Sequence, residues 1–312
     1  MRVFEDTPEG YSDAAEVLAK GGLVAFPTET VYGLGADACD DQAVAGIYQA
    51  KGRPSFNPLI VHFATLDAVK EHVQWNHVAE LFAQAFWPGP LTLVLPKRAD
   101  SPISKLVTAG LDSLAVRLPA HDTAKGLLTA FGGPVAAPSA NRSGQISPTI
   151  AVHVIEGLEG RIDGVIDGGS CEVGLESTIV GLVDRPIVLR PGGITEDALT
   201  ECLGQPLTIR KNADAISAPG QMTSHYAPNA GVRLNAVAWE PGEARLGFGD
   251  VPCDLNLSPD EDLVEAAANL FAYLHKLDAQ GADSIAVSPI PHDGLGVAIN
   301  DRLSRAAAPR EG

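Results

Sequence analysis

LTLVLP (91–96), LAVRLP (114–119) and PVAAPS (134–139) are the runs that decide how this chain is built. Each is short, almost unbroken in apolar character and closed by proline or a polar turn, which is the pattern of a strand covered on both faces. Residues 121–131, between the second run and the third, have helical spacing. Working outward, LVAF (23–26) and LIVHF (59–63) read as strands, and so do 163–167, 178–183 and 186–190. Helices are expected from a Ser12 or Asp13 cap through Lys20, from Asp40-Asp41 to Lys51-Gly52, over 66–73 and 76–86, and near 195–203. Trp87-Pro88-Gly89-Pro90 stops one of them by removing amide donors. Several strands follow each other too closely for a helical crossover, so the sheet is predicted to be mixed. The fold class is therefore α/β, a large mixed sheet with helices packed on it.

Residues 1–205 form the larger expected unit, and 206–230, with Pro206, Pro219-Gly220 and Pro228, read as a linker. Beyond it VRLNAV, ARLGFG and SIAVSPI are strands, and helices at about 260–279 and 294–308 flank the last, giving a smaller α/β (Rossmann-like) domain over 231–312. The chain has 312 residues, 45% of them hydrophobic and 20% charged, which excludes a disordered chain. No apolar run approaches a membrane span, and MRVFEDTPEG is not a secretory leader. Cys39, Cys171, Cys202 and Cys253 are far apart, so no metal site is indicated, and free thiols in the cytoplasm are expected. With 22 Lys and Arg against 39 Asp and Glu, the net charge of −17 disfavours strong binding to nucleic acid or an anionic membrane.

Polar and cationic residues recur at strand ends, where α/β proteins place ligands. Pro27-Thr28-Glu29-Thr30 leaves the first buried strand toward Tyr32-Gly33. Lys51 and Arg53 straddle a glycine after a helix, followed by Asn57 and His62, and can reach one anion or simply favour a helix C-terminus. Arg117 lies inside an apolar strand and needs a partner, either a protein carboxylate or a ligand carboxylate. Ser139, Asn141, Arg142, Ser143 and Ser147 follow the third strand, where their hydroxyls and amides could form an anion nest or a plain capped loop. Glu176-Ser177-Thr178 opens another strand, and Arg190 ends the next. His225-Tyr226 in the linker suggests docking, more often onto protein than ligand. No Gly-Lys dipeptide, GxGxxG, GxSxG or HExxH motif is present. Rich in cations and hydroxyls but poor in paired carboxylates, the set suits an anion-rich ligand handled by positioning and charge neutralisation.

Taken jointly, FPTETVYGLG, KGRPSFNPLIVH, FWPGPLTLVLP, LAVRLP, APSANRSGQISPT, ESTIVGL and LRPGG resemble, in order, the YrdC-type L-threonylcarbamoyladenylate synthases, over residues 12–203. The PGxxxxHYAP stretch (219–228), the second domain and NDRLSRAA resemble the long two-domain form. The resemblance implies a twisted, mixed YrdC-like sheet around a positively lined cavity. It implies that L-threonine, bicarbonate and ATP give threonylcarbamoyl-AMP and pyrophosphate, with Mg2+ carried by the triphosphate. A downstream tRNA threonylcarbamoyl transferase would then use the product. Thr30, His62, Arg117, Ala137 and Ser177 look like the threonine set, with Arg117 on the carboxylate. Lys51, Arg53, Asn57, Ser113, Ser139, Asn141, Ser147 and Arg190 look like the ATP set, with Lys51 and Arg53 as catalytic cations. Tyr226, with His225, would fold over the cavity. One departure is Gln221-Met222-Thr223-Ser224, where many relatives carry a basic or aromatic residue. Two other readings compete: an RNA-binding module, which the charge disfavours beyond weak contact, and a carbamoyl-handling maturation enzyme, which the missing zinc-type cysteine motifs and length disfavour.

Overall fold

The computed structural model describes residues 1–54, 56–210 and 225–309. Two sheets organise them. The larger has eleven strands, running in space from Arg2–Glu5 through Gly164–Asp167, Val24–Phe26, Gly33–Asp37, Val135–Ala136, Ile60–His62, Ser113–Arg117, Leu91–Pro96, Thr178–Gly181 and Ile187–Arg190 to Thr208–Ile209. Parallel and antiparallel neighbours both occur along it, so the sheet is mixed as the short connections require. The smaller sheet orders Gly231–Arg233, Ser284–Val287, Ala244–Gly247 and Leu255–Asn256, all parallel. Among the described residues no helix is long and apolar enough to cross a membrane, and the four cysteines are unpaired.

Most elements fall where the apolar runs predicted them. Leu91–Pro96 is a strand over its whole predicted length, and the helix after Asp40 ends at Gly52 in the left-handed conformation that glycine adopts freely. The first helix is a correction. It spans Pro8–Ala19, capped by Thr7, whose hydroxyl accepts from the Gly10 amide, rather than starting at Ser12 or Asp13. Pro8 in its first turn needs no amide partner, and that Thr-Pro pair is the start signal. Strands Arg2–Glu5 and Gly33–Asp37 and helix Ala151–Leu158 carry no clear period in the sequence and appear only through pairing and packing.

The parallel pair Ile60–His62 and Ser113–Arg117 is central to the site. Its register sets His62 beside Arg117, at one end. Ser113 opens the same strand two residues before Ala115, the partner of Ile60, and so stands at the Asn57-Pro58 end. The smaller sheet and helices Leu263–Asp278 and Gly296–Ala306 dock on the larger unit through a shared core that takes in Val31, Ile146 and Leu175 beside Leu270, Phe271 and Ile299. Gly174 shows how close that approach is: a Cβ there would lie 2.5 Å from the Ala267 carbonyl oxygen.

Candidate active site

A cavity opens at the ends of the central strands and gathers Thr30, Arg53, His62, Arg117, Ala137, Ser139, Glu176, Ser177, Arg190, His225 and Tyr226 in its wall. Segments more than a hundred residues apart in sequence therefore meet in one place. Tight turns aim them. Thr28 closes the first turn by donating to the Val31 carbonyl (2.7 Å), and its hydroxyl lies 2.8 Å from that of Thr30. Arg117 Nη1 donates to Thr30 Oγ1 at 2.9 Å, and its Nε to the Gly89 carbonyl at 3.3 Å. Ser177 Oγ lies 2.7 Å from Thr92 Oγ1. Arg190 donates to the Ser177 carbonyl through Nη2 (2.8 Å) and Nε (3.2 Å). Gly192 is required beside them, since a Cβ there would fall 2.3 Å from the Glu176 carbonyl oxygen.

Arg117 has its protein carboxylate. Glu29 Oε1 lies 2.8 Å from Nη2, both side chains being buried. The pair is an ion contact without hydrogen-bond alignment, because neither Glu29 oxygen nor Nη2 has a hydrogen-bond partner. The alternative left open by the sequence is thus filled from the neighbouring turn, and any ligand carboxylate there would share the guanidinium with Glu29. His62 sits beside Arg117 in the register with its ring edge-on to Phe26, its Nδ1 without a partner. Burial, reinforced by Arg117, pushes its pKa down to about 3, so it is neutral.

Lys51 and Arg53 are held differently. Lys51 Nζ donates to the carbonyls of Ser139 (2.6 Å) and Asn141, and Arg53 Nη2 to that of Pro58 (3.2 Å). Among the described residues no carboxylate pairs with either in an ion contact. Burial, and then the charge of Arg53, pull the Lys51 pKa well below its usual range, and burial lowers Arg53 to about 10. Burial disfavours the charged form of each, and an incoming anion would restore it.

In the 138–144 loop the amides of Ala140 and Ser143 are not available to an anion, because they donate to the carbonyls of Tyr32 and Lys51. The loop presents carbonyls to Lys51 instead, with Asn141 Nδ2 bracing the turn on the Arg142 and Gln145 carbonyls. Ser147 is fully buried and donates to Glu176 Oε1 at 2.6 Å, so its hydroxyl faces a carboxylate. Five predicted residues stand outside the cavity wall: Lys51, Asn141 and Ser147, and Asn57 and Ser113 at the far end of the central pair, where the Asn57 side-chain amide is buried with neither polar atom partnered.

Tyr226 reaches the cavity on a strained backbone, with φ at 63°. The Ala227 amide donates to the Gly144 carbonyl (2.8 Å) and the His225 amide to that of Arg305 (3.2 Å), so both units pin this segment. The expectation of docking onto protein holds, with the cavity wall as a second contact. Residues 211–224, including the Gln221–Ser224 departure, lie outside the described residues.

Three groups had no role assigned from sequence: Glu29, Glu176 and Arg302. Arg302 Nε donates to Glu176 Oε2 at 2.8 Å, and its Nη1 to Asp301 at 2.8 Å. Burial would raise the Glu176 carboxyl, but Arg302, Arg190 and the Ser147 hydroxyl outweigh it and hold the pKa below the usual range. The two glutamates were visible within PTETVYG and ESTIV, and Arg302 within NDRLSRAA.

Comparison with known proteins gives a consistent result. A family model described as Telomere recombination matches residues 16–192, and one described as Threonylcarbamoyl-AMP synthase, C-terminal domain, matches 194–308. A protein from Pyrococcus abyssi named threonylcarbamoyl-AMP synthase is 41% identical, with 95% of this chain and 94% of that protein aligned. One of the same name from Bacillus subtilis is 40% identical over 96% of this chain and 93% of its own length. The crystal structure of P. abyssi Sua5 complexed with L-threonine superposes with a TM-score of 0.90 at 38% identity, covering 98% of this chain and 97% of that one. The E. coli YciO structure shares the fold of part of the chain, with a TM-score of 0.55 at 22% identity over 61% of it.

Proposed function

The chain belongs to the threonylcarbamoyl-AMP synthase family, and from that membership we propose how its cavity forms L-threonylcarbamoyl-AMP for tRNA threonylcarbamoyladenosine modification. L-threonine lies at the Thr30, His62, Arg117, Ala137 and Ser177 end, its carboxylate sharing Arg117 with Glu29. Its amine adds to bicarbonate with loss of water, giving a carbamate. A carbamate oxygen attacks the α-phosphate of ATP, the bond to the β-phosphate breaks, and pyrophosphate leaves. Lys51, Arg53 and Arg190 neutralise the charge that builds on the phosphates. Ser139 and Asn141 hold Lys51 through their carbonyls, Ser147 holds the Glu176 carboxylate, and Asn57 and Ser113 offer polar groups beyond the wall to the rest of the nucleotide. Mg2+ enters on the triphosphate, whose oxygens suit that hard cation.

His62 serves as a neutral contact, since burial keeps the proton off it. Tyr226 and His225 close the site against water, which would otherwise hydrolyse the mixed anhydride. Residues 1–205 are read as a larger catalytic domain and 231–312 as a smaller C-terminal domain, a division the two sheets support, except that Thr208–Ile209, inside the 206–230 connection, still pairs in the larger sheet. The product passes to a tRNA threonylcarbamoyl transferase in the cytoplasm.

The observation that supports this reading best is that Arg53 and Arg190, each held by backbone carbonyls, share one cavity wall with Thr30, Arg117 and Ser177. The test is pyrophosphate release by the purified chain. Release is expected only when ATP, L-threonine and bicarbonate are all supplied. Equal release without threonine overturns the reading.

A further inference from the structure

Glu176 is an anomaly in a cavity built for phosphates. It is buried, and it shares the cavity wall with Arg53 and Arg190. A bare carboxylate at this position would repel a triphosphate and cancel part of the cationic field the larger unit assembles. It is not bare. Arg302, on helix Gly296–Ala306 of the smaller unit, reaches across and donates Nε to Glu176 Oε2 at 2.8 Å, while Ser147 holds Oε1 at 2.6 Å. Both partners are at least nine-tenths shielded from solvent, and Arg302 is 1% exposed.

The same guanidinium lies 5.3 Å from the centre of the Tyr226 ring, which also meets the rings of His225 at 4.1 Å and Phe271 at 5.5 Å. One turn further along this helix, the Arg305 carbonyl takes the His225 amide. The helix therefore fixes the carboxylate and the strained His225-Tyr226 segment together. Arg302 Nη2 is buried with no hydrogen-bond partner. A clamp serving stability alone would be better made from apolar side chains of similar volume, because burying an ion pair costs more than it usually returns.

We propose that Arg302 is a positioning residue for the nucleotide half of the reaction, supplied by the C-terminal domain, which neutralises Glu176 and seats Tyr226 so that the cavity accepts a triphosphate. The site is then incomplete in the larger domain alone. This rests on the reading of the cavity as the ATP and threonine site.

The test uses the full chain, with pyrophosphate release read against ATP and against L-threonine separately. Arg302→Met is expected to raise the KM for ATP tenfold or more while the KM for threonine stays within twofold. Adding Glu176→Gln removes the uncompensated carboxylate and is expected to bring the ATP KM back to within threefold of wild type. Arg302→Lys, which keeps the charge but not the fork, should fall between. A merely structural role would move both KM values or neither, in step with melting temperature. An ATP KM within twofold of wild type for Arg302→Met, or a double variant no better than the single, overturns the inference. Should Arg302→Met not fold, Arg302→Lys and the double variant decide it by the same thresholds. Wild-type release that ignores threonine would instead sink the underlying reading, so the two failures are distinct.

Discussion

Arg117 and Lys51 are almost equally buried, at 4% and 2% exposure, yet they are satisfied in opposite ways. Arg117 faces a glutamate from the adjoining turn, whereas Lys51 faces backbone carbonyls. A carboxylate removes net charge, and a carbonyl only solvates it. On the proposed reading, the Arg117 end would offer a pre-paired guanidinium to a zwitterion, and the KGR end, with no carboxylate partner, would suit a polyanion. Burial alone does not say what a buried cation does; its partner does.

The largest effect that would break this contrast is expected at Arg117. Arg117→Ala strands Glu29 in the interior and should destabilise the fold by ~3–5 kcal/mol, measured by denaturant unfolding. Threonine binding should weaken by ~2–5 kcal/mol, and ATP binding far less, by calorimetry. Adding Glu29→Gln should recover stability without recovering threonine affinity. A double variant that binds threonine normally would place Arg117 elsewhere in the reaction.

Lys51→Met should lower turnover by ~10²- to 10³-fold, the loss typical of one charge-stabilising donor. Its melting temperature should stay near that of wild type, because relief of a buried amine offsets the lost carbonyl contacts. Turnover near the wild-type rate would make the KGR segment a structural helix end.

Per pH unit, the smallest effect is the acid slope of stability. The folded pKa of His62, about 3, lies below its ordinary value of 6.5. As pH falls, the unfolded chain takes up this proton first. Stability is therefore full above about pH 6.5 and declines toward pH 3. His62→Asn should flatten that decline by ~1.4 kcal/mol per pH unit in the window, read from unfolding free energies at stepped pH. His153, also lowered to about 3 by burial, and His225 keep part of the slope.

Much of this was legible before any coordinates. Unbroken apolar runs gave the central strands, and Asp40 and Gly52 bracketed a helix that ends on Lys51. Arg117 inside LAVRLP announced a partnered charge. The choice of partner was not legible, because Glu29 and a ligand carboxylate are equally good in one dimension. Nor was the fate of the 138–144 loop, whose serines and asparagine fit an amide nest as well as the carbonyl cage that formed.

What the sequence determined by itself was local: which runs must be buried, where helices stop, and which side chains carry charge into apolar surroundings. These follow from burial and capping within a few residues. What only the tertiary structure decided was pairing: Glu29 on Arg117, carbonyls on Lys51, and Arg302 reaching Glu176 from 126 residues away. The reason is physical, since the strength of a charge interaction depends on distance and dielectric in three dimensions, and neither is encoded by separation along the chain.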